Sequence, residues 1–301
     1  MEDFRTPHEN LTPALNHFVQ GIENLVNFGV QIVGWDLDQE GKSDEHLPPI
    51  LFLRNYIEVI DAISILVRHS SIDPCKNLLR TALENLANIE YLLEKDTNQR
   101  SLSFLVWNFV NGHMSALKVD GKSLEYKQLR DAYNKDRFLK TSTPSIHPDA
   151  EQAKANSVAL LAHDKYKAVH LEYRRTAKRI QNPNWYSLFN GPRTMKKLCE
   201  HLEINVLYEL VYRTFSESIH GTDIIQGMIY SAGPGRSAIA QIRHPVAVHN
   251  VTTLCTNLTL VLYTDYIQKR LPDKHADFLK WKDEIMPFQK SLYEQEFINF
   301  V

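Results

Sequence analysis

The sequence contains little cysteine. Cys75, Cys199 and Cys255 are the only three in 301 residues, and they lie far apart with no Cys-x-x-Cys pair. An odd number of cysteines at such spacing argues against a disulfide framework and against a cysteine-rich zinc site. We therefore expect buried, reduced thiols, as in a reducing compartment, and neither a metal nor another cofactor.

A long apolar run is also missing. No stretch reaches the roughly 18 residues that a membrane-spanning helix needs. The first ten residues are polar and contain no apolar core of an export signal. We expect no membrane association and a cytoplasmic location.

The chain has little net charge of either sign. The formal net charge is −2 and 23% of the residues are charged, which is typical of soluble globular proteins. No global basic field indicates tight, non-specific nucleic-acid binding, although a local basic site remains open. The common catalytic and nucleotide-binding motifs are absent too: a P-loop, a Rossmann fingerprint, a Gly-x-Ser-x-Gly elbow and a His-Glu-x-x-His zinc helix.

What the sequence does have is apolar residues at helical spacing along most of its length. The pattern predicts helices over residues 11–35, 50–71, 74–95, 98–117, 123–134, 149–181, 193–202, 204–220, 245–270 and 274–299. Pro74 suits the first turn of its helix, with Asp73 as the capping side chain. The apolar residues of segment 185–189 are expected to pack onto the core. No convincing run of alternating strand residues is present, so we predict an all-α, multi-helix bundle.

Two features interrupt the helical pattern. Residues 228–244 are predicted to form a short irregular or β-hairpin insertion. The segment 135–148 is rich in turn residues and is predicted to be a flexible connection. We expect one helical domain over 1–301, with a division into 1–134 and 149–301 as the alternative.

A polar stripe marks the helix predicted at 204–220. Glu209, Arg213, Ser216 and His220 follow one another at spacings of four, three and four, so they share one side of a helix. The predicted apolar side consists of Ile204, Leu207, Leu210, Val211 and Phe215. The stripe has two interpretations: a solvent-facing polar surface, or a catalytic surface in which histidine transfers protons and arginine holds a phosphate.

A second polar pair lies in the helix predicted at 74–95. Arg80 and Glu84 are four residues apart, the spacing of an intrahelical ion pair. The alternative is that they belong to a functional site. In the same helix, the carboxylate of Glu90 falls within the apolar stripe, which predicts either a buried partner or an error of the projection.

Several of these motifs occur in the order typical of one family. They are Arg80-Thr-Ala-Leu-Glu84, Trp185-Tyr-Ser-Leu-Phe189, Met195-Lys-Lys-Leu198 and, at even four-residue spacing, Tyr212, Ser216, His220 with Gly221. Residues 50–225 resemble the bacterial helical proteins of domain of unknown function DUF5677, an uncharacterised family. That resemblance implies a helical fold and no particular activity.

A looser resemblance implies an activity. Arg213 followed by six residues and His220 is similar to the Arg-x(4–6)-His motif of HEPN-domain proteins. Those are helical bundles, often homodimers, and many are metal-independent endoribonucleases of toxin–antitoxin and anti-phage systems. The chain departs from them in its greater length and in Thr214, where a more strongly polar residue is usual.

The HEPN resemblance implies roles for particular residues. His220 would be the general acid or base and Arg213 would stabilise charge on the phosphate of RNA. Arg80, Glu84 and Tyr212 would orient or line the site, with Glu209 and Ser216 supporting it. The implied partners are RNA, a second copy of the chain and an antitoxin or other partner protein.

The alternative is a non-catalytic helical module that binds a protein or a small ligand. In that case the same polar residues would form a structural network between helices, since buried polar groups must be paired. A metal-dependent hydrolase is the least favoured class, because the sequence shows no set of metal ligands. Whether the chain is an enzyme is left open between the first two interpretations.

Overall fold

A computed structural model describes residues 12–39, 43–213, 215, 229–231, 233, 235 and 237–294. Helices dominate these residues, which confirms the all-α prediction. The helices are α1 (Thr12–Leu37), α2 (Leu47–Arg68), α3 (Cys75–Glu94), α4 (Thr97–Val119), α5 (Leu124–Lys135), α6 (Ala150–Ala162), α7 (Asp164–Ala177), α8 (Met195–His201), α9 (Asn205–Leu207), α10 (Val248–Arg270) and α11 (His275–Glu294). Short 3₁₀ turns cover Asp44–His46, Trp185–Asn190 and Pro272–Lys274.

The predicted hairpin region contains two short strands, β1 (Ile229–Ser231) and β2 (Ser237–Ile239). They pair antiparallel, with Ile229 opposite Ile239. Within the described residues, no helix combines the length and the apolarity that a membrane span requires.

At two predicted helix boundaries, side-chain contacts accompany the difference from the structure. The predicted helix 149–181 is two helices, because the backbone of His163 is extended and its Nδ1 accepts a hydrogen bond from the Lys165 amide at 3.2 Å, which starts α7. At the start of α3, Asp73 does not cap the helix; Pro74 occupies the cap position, and the Asp73 carboxylate pairs with Lys76 at 2.6 Å instead. In both cases a local side-chain contact decided the helix start.

The chain forms two compact units. The first unit consists of the described residues within 1–43, 49–95 and 195–301, and the second of residues 44–48 and 96–194. Neither unit is continuous in sequence, whereas the division considered from sequence cut the chain within 135–148. The structure shows that segment as non-helical, with a buried Pro144 whose carbonyl accepts a hydrogen bond from Tyr126 at 3.0 Å.

The first unit is built around α10. Helices α1, α3 and α11 pack against it and enclose most of the buried aliphatic side chains of the unit. Three α10 side chains extend polar contacts across this core: Thr259 bonds Tyr56 at 2.9 Å, Tyr263 donates to the Leu25 carbonyl at 2.9 Å, and Arg270 pairs with Asp36. The two cysteines Cys75 and Cys255 are buried in the same core, and all three thiols are free, as predicted.

The second unit is built around α4, which α5, α6, α7 and the turn Trp185–Asn190 contact. Trp185, Tyr186 and Leu188 are buried, which confirms that this aromatic segment packs inward, although Phe189 is exposed. The carboxylate of Glu172 holds the turn by accepting from the Phe189 amide at 3.0 Å, from Thr176 at 3.0 Å and from Arg175 at 2.7 Å. The hydrogen bond from Arg175, above all, holds the pKa of Glu172 below its ordinary value.

Candidate functional site: the α3 and π-helix face

The helix that carries the polar stripe is not an ordinary α-helix. After the single turn α9, residues Tyr208–Arg213 form a π-helix. A π-helix closes i to i+5 hydrogen bonds; such turns are rare and are frequently found at functional sites. Its side chains therefore do not follow the 3.6-residue spacing on which the predicted stripe was built.

The structure confirms most of the predicted apolar face and corrects one residue of it. Val211 is fully buried, and Ile204, Leu207 and Phe215 pack partly buried against the core. Leu210, predicted on the same face, is 57% exposed, so that part of the prediction is wrong.

Glu209 and Arg213 lie on the outer surface of the π-helix. The Arg213 Nη1 and the Glu209 Oε2 are 2.9 Å apart. The Arg213 side chain is 71% exposed and that of Glu209 is 44% exposed. The pair leaves the arginine accessible to an anion from solvent. Ser216, His220 and Gly221, which the sequence assigns to the same site, lie outside the described residues.

Facing inward from the π-helix, Tyr212 meets two residues of α3. Arg80 Nη2 donates to the Tyr212 hydroxyl at 2.5 Å, and the guanidinium carbon lies 4.0 Å from the centre of the Tyr212 ring. Arg80 Nε is 3.4 Å from Glu84 Oε1. The structure thus brings together Arg80, Glu84 and Tyr212, three of the residues predicted to share a site.

The Arg80–Glu84 contact is an ion pair without a directed hydrogen bond. Although the two atoms are within ion-pair distance, Arg80 Nε makes no hydrogen bond within the described residues and is buried. The hydrogen bond of the Arg80 guanidinium therefore goes to the Tyr212 hydroxyl, and it joins α3 to the π-helix. The Arg80 side chain is 20% exposed and Glu84 37%, so the cluster opens to solvent on the Glu84 side.

Burial sets the protonation chemistry of this cluster. It raises the pKa of Glu84, against the lowering effects of the Arg80 charge and of a hydrogen bond from Tyr212. Burial, together with the nearby Glu84 charge, raises the pKa of the Cys199 thiol to about 11. Burial also raises the pKa of Tyr208, whose ring stacks on Tyr212 with centroids 5.0 Å apart. The thiol and the phenol therefore stay protonated at neutral pH.

Two glutamates of α3 have partners that the sequence did not identify. His201, the last residue of α8, meets Glu94 at 2.9 Å and packs its ring edge-on to Tyr91. Glu90 is buried, as its position in the apolar stripe indicated, and its Oε2 is 2.8 Å from Lys269 Nζ. Both partners lie more than 100 residues away in sequence, so helical spacing alone held no signal for them.

Metal binding finds no support in this part of the molecule. Among the described side chains, no group of three or more His, Cys, Asp or Glu is arranged to hold a metal ion. The candidate site therefore consists of the exposed guanidinium of Arg213 on the π-helix and the partly exposed cluster of Arg80, Tyr212 and Glu84.

Comparison with known proteins identifies one family. Residues 46–229 match the family described as "Family of unknown function (DUF5677)", a range that contains α3, the π-helix and every predicted site residue. Neither the curated proteins nor the solved structures contain a match. Because the matched range covers more than half of the 301 residues, the chain belongs to the DUF5677 family, whose function is unknown.

Proposed function

We propose that this protein is a HEPN-like, metal-independent endoribonuclease of the toxin or anti-phage defence type. The observation that carries the proposal is the position of Arg213, exposed at the end of a π-helix and seven residues before His220. An exposed guanidinium can hold a phosphate through two parallel hydrogen bonds. Single-turn π-helices are frequent at functional sites.

The proposed chemistry needs only groups of the chain. His220 takes the proton of the ribose 2′-hydroxyl, whose oxygen attacks the adjacent phosphorus. The bond to the 5′-oxygen breaks, that oxygen takes the proton from protonated His220, and the other product ends in a 2′,3′-cyclic phosphate. Arg213 stabilises the charge that develops on the phosphate oxygens. Glu209 and Ser216 support Arg213 and His220.

The Arg80–Tyr212–Glu84 cluster has a positioning role in this proposal. The hydrogen bond and the ring contact of Arg80 fix the π-helix against α3, which fixes the direction of the neighbouring Arg213. The enzyme would act in the cytoplasm as a homodimer, held inactive by an antitoxin or another partner protein.

The test is cleavage of a labelled RNA mixture by the purified protein in excess EDTA. The wild type should cleave and leave cyclic-phosphate ends, whereas His220→Ala and Arg213→Ala should lose at least about 100-fold in rate, as expected when a proton-transfer or charge-stabilising group is removed. Arg54→Ala is the matched control, because Arg54 and Glu58 form another exposed i,i+4 pair, 2.5 Å apart on α2. Unchanged cleavage in Arg213→Ala would refute the proposal.

A second candidate function rests on the same cluster. Arg80 links α3 to the π-helix through its hydrogen bond to Tyr212 and pairs with Glu84 within α3, as expected of a structural network in a non-catalytic binding module. No cleavage by the wild type, together with a marked loss of stability in Tyr212→Phe, would favour that module.

A further inference from the structure

The charge of the chain is unevenly divided between its two units. The second unit contains sixteen Lys and Arg against eleven Asp and Glu, a formal charge of +5, which leaves −7 on the rest of the chain. The net charge of −2 conceals this asymmetry. A basic unit within an otherwise acidic protein is the electrostatic footprint of a surface that binds a polyanion.

Within that unit, the turn after α5 presents an aromatic ring to solvent. Phe138 is 81% exposed, more than any other large apolar side chain in the described part of the chain. A single exposed apolar residue is common on protein surfaces and needs no explanation by itself. The surroundings of Phe138 are what distinguish it.

Three cationic residues lie within three positions of Phe138 in the sequence. Lys135, Arg137 and Lys140 are all exposed, and no acidic side chain of the described residues lies within ion-pair distance of them. The Arg137 guanidinium lies 5.5 Å from the centre of the Phe138 ring. The exposed ring therefore has a guanidinium close to it and two further cations beside it in sequence.

Hydrogen bonds to Asp136 order the backbone of this turn. Asp136 Oδ1 accepts hydrogen bonds from the amides of Phe138 at 2.7 Å and Leu139 at 3.0 Å. The Lys140 amide donates to the Asp136 carbonyl at 3.1 Å, which closes the turn. The Asp136 carboxylate, next to these cations in sequence, thus accepts from the backbone, and an ordered turn loses less backbone entropy on binding.

We propose that the turn 135–140, called the Phe138 turn below, binds single-stranded RNA. An unpaired base stacks on the open face of Phe138, and Lys135, Arg137 and Lys140 neutralise the flanking phosphates. The choice of RNA as the polyanion rests on the proposed ribonuclease function. Bases in a duplex are already stacked on each other, so the Phe138 turn selects unpaired strands. An anionic lipid surface is the competing ligand, and the isolated ring with polar neighbours fits it less well than an amphipathic helix would.

The experiment measures binding of a fluorescent single-stranded RNA of about 20 nucleotides, 2′-O-methylated throughout so that the proposed cleavage cannot occur. Anisotropy should report wild-type binding, and Phe138→Ala and Phe138→Leu should both bind about tenfold or more weakly, because stacking needs a π face. Phe138→Trp should bind like the wild type. Asp136 is left unchanged in every variant, so the turn keeps its hydrogen bonds.

The charge arm uses Lys135→Glu combined with Arg137→Glu, against Lys280→Glu on α11 as the matched control. The double variant should bind more weakly and with a salt dependence shallower by about 1 to 2 units of logarithmic slope, whereas the control, an exposed lysine of the acidic first unit, should match the wild type. A duplex of the same sequence should bind equally to wild type and Phe138→Ala.

Three results would overturn the proposal: no binding by the wild type, equal binding by Phe138→Leu, or Phe138-dependent binding only to vesicles of equal parts phosphatidylserine and phosphatidylcholine. Because the probe cannot be cleaved, the outcome is separate from that of the ribonuclease test. Phe138-dependent binding without any RNA cleavage would support RNA binding by the Phe138 turn and refute the ribonuclease proposal. RNA cleavage by the wild type, with unaltered RNA binding by Phe138→Ala, would support the ribonuclease proposal and refute RNA binding by the Phe138 turn.

Discussion

Arg80 reaches both the hydroxyl and the ring of Tyr212, 132 residues further along the chain. Its Nη2 is 2.5 Å from the hydroxyl while its central carbon is 4.0 Å from the ring centre. One cation therefore supplies both a charged hydrogen bond and a cation–π contact. A cation–π contact by itself contributes about 0.5–2 kcal/mol to stability. This contact fixes the π-helix on α3, and the π-helix carries Arg213 at its end.

Removing the Tyr212 hydroxyl should separate these two contributions. Tyr212→Phe keeps the ring under Arg80 but takes away its acceptor and the hydrogen bond to Glu84, so we expect a loss of about 1–2 kcal/mol in the free energy of unfolding. Loss of that hydrogen bond should also raise the pKa of Glu84 further. Urea denaturation gives the first quantity, and the carboxyl shift followed by NMR gives the second.

Tyr208→Phe is the control for this variant. Its ring stacks on Tyr212 at 5.0 Å, and stacking does not need the hydroxyl. We expect its stability to lie within about 0.5 kcal/mol of the wild type. Equal losses in the two phenylalanine variants would show that the Arg80 hydrogen bond contributes nothing beyond general packing.

Helical periodicity predicted most of the fold because each helix buries one face. The predicted ranges 11–35 and 74–95 differ from Thr12–Leu37 and Cys75–Glu94 by at most two residues at either end. The misses occur where local chemistry outweighs periodicity. His163 caps a new helix within an otherwise periodic stretch, and a π-helix replaces the expected α-helix around Leu210. A wheel drawn at 3.6 residues per turn contains no information about either event.

The candidate site was predictable only as two separate pieces. Spacing grouped Arg80 with Glu84 and Glu209 with Arg213, since partners four residues apart share a helix face. The contact that joins α3 to Tyr212 depends on how the helices pack, which one sequence does not specify. Lys269 as the partner of Glu90 was invisible for the same reason.

A close approach of helices makes Gly29 necessary in α1. A Cβ atom placed there would lie 2.1 Å from the Tyr263 hydroxyl and 2.8 Å from Ile57 Cγ1. Gly29→Ala should therefore displace Tyr263 from the Leu25 carbonyl and cost about 1–3 kcal/mol or more. The measurement is the thermal unfolding midpoint.

The same helix offers the matched control. A Cβ at Gly34 would meet nothing within 4 Å. Because alanine favours helix over glycine, Gly34→Ala should raise stability by about 0.5–1 kcal/mol. A stabilising Gly29→Ala would mean that α1 and α10 lie further apart than the structure places them.

The buried ion pair between α1 and α10 should be the most sensitive polar contact in the first unit. Asp36 is fully buried, and Arg270 meets it with two hydrogen bonds of 2.8 and 2.9 Å while Tyr266 donates to the same carboxylate. Asp36→Ala would leave the arginine buried without its counter-charge, so we expect a loss of about 3–5 kcal/mol in chemical denaturation.

Glu23→Ala tests whether burial is the reason. Glu23 also lies on α1 and pairs with an arginine, Arg68, but both side chains are more than 40% exposed. An exposed pair contributes at most about 1 kcal/mol. Similar losses in the Asp36 and Glu23 variants would show that the Asp36–Arg270 contact opens to solvent.

Glu90 should make stability depend on pH. Burial raises its pKa to about 7, with Lys269 opposing the rise and Asp265 adding to it. Between its ordinary pKa of 4.5 and about 7, the unfolded chain has released this proton while the folded chain still holds it. Stability must therefore fall as pH rises through that window, by up to about 3 kcal/mol.

Glu90→Gln has no such proton to lose, so its free energy of unfolding should change less than that of the wild type between pH 5 and pH 8. Relative to the wild type, the variant should gain stability as the pH rises, since the neutral amide needs no counter-charge while Lys269 retains Asp265 at 3.7 Å. Glu58→Gln, at an exposed carboxylate of α2, should follow the wild-type profile. Parallel pH profiles for the wild type and Glu90→Gln would mean that Glu90 is ionised between pH 5 and pH 8. The attraction of Lys269, whose Nζ is 2.8 Å from Glu90 Oε2, would then outweigh the effect of burial on the carboxylate.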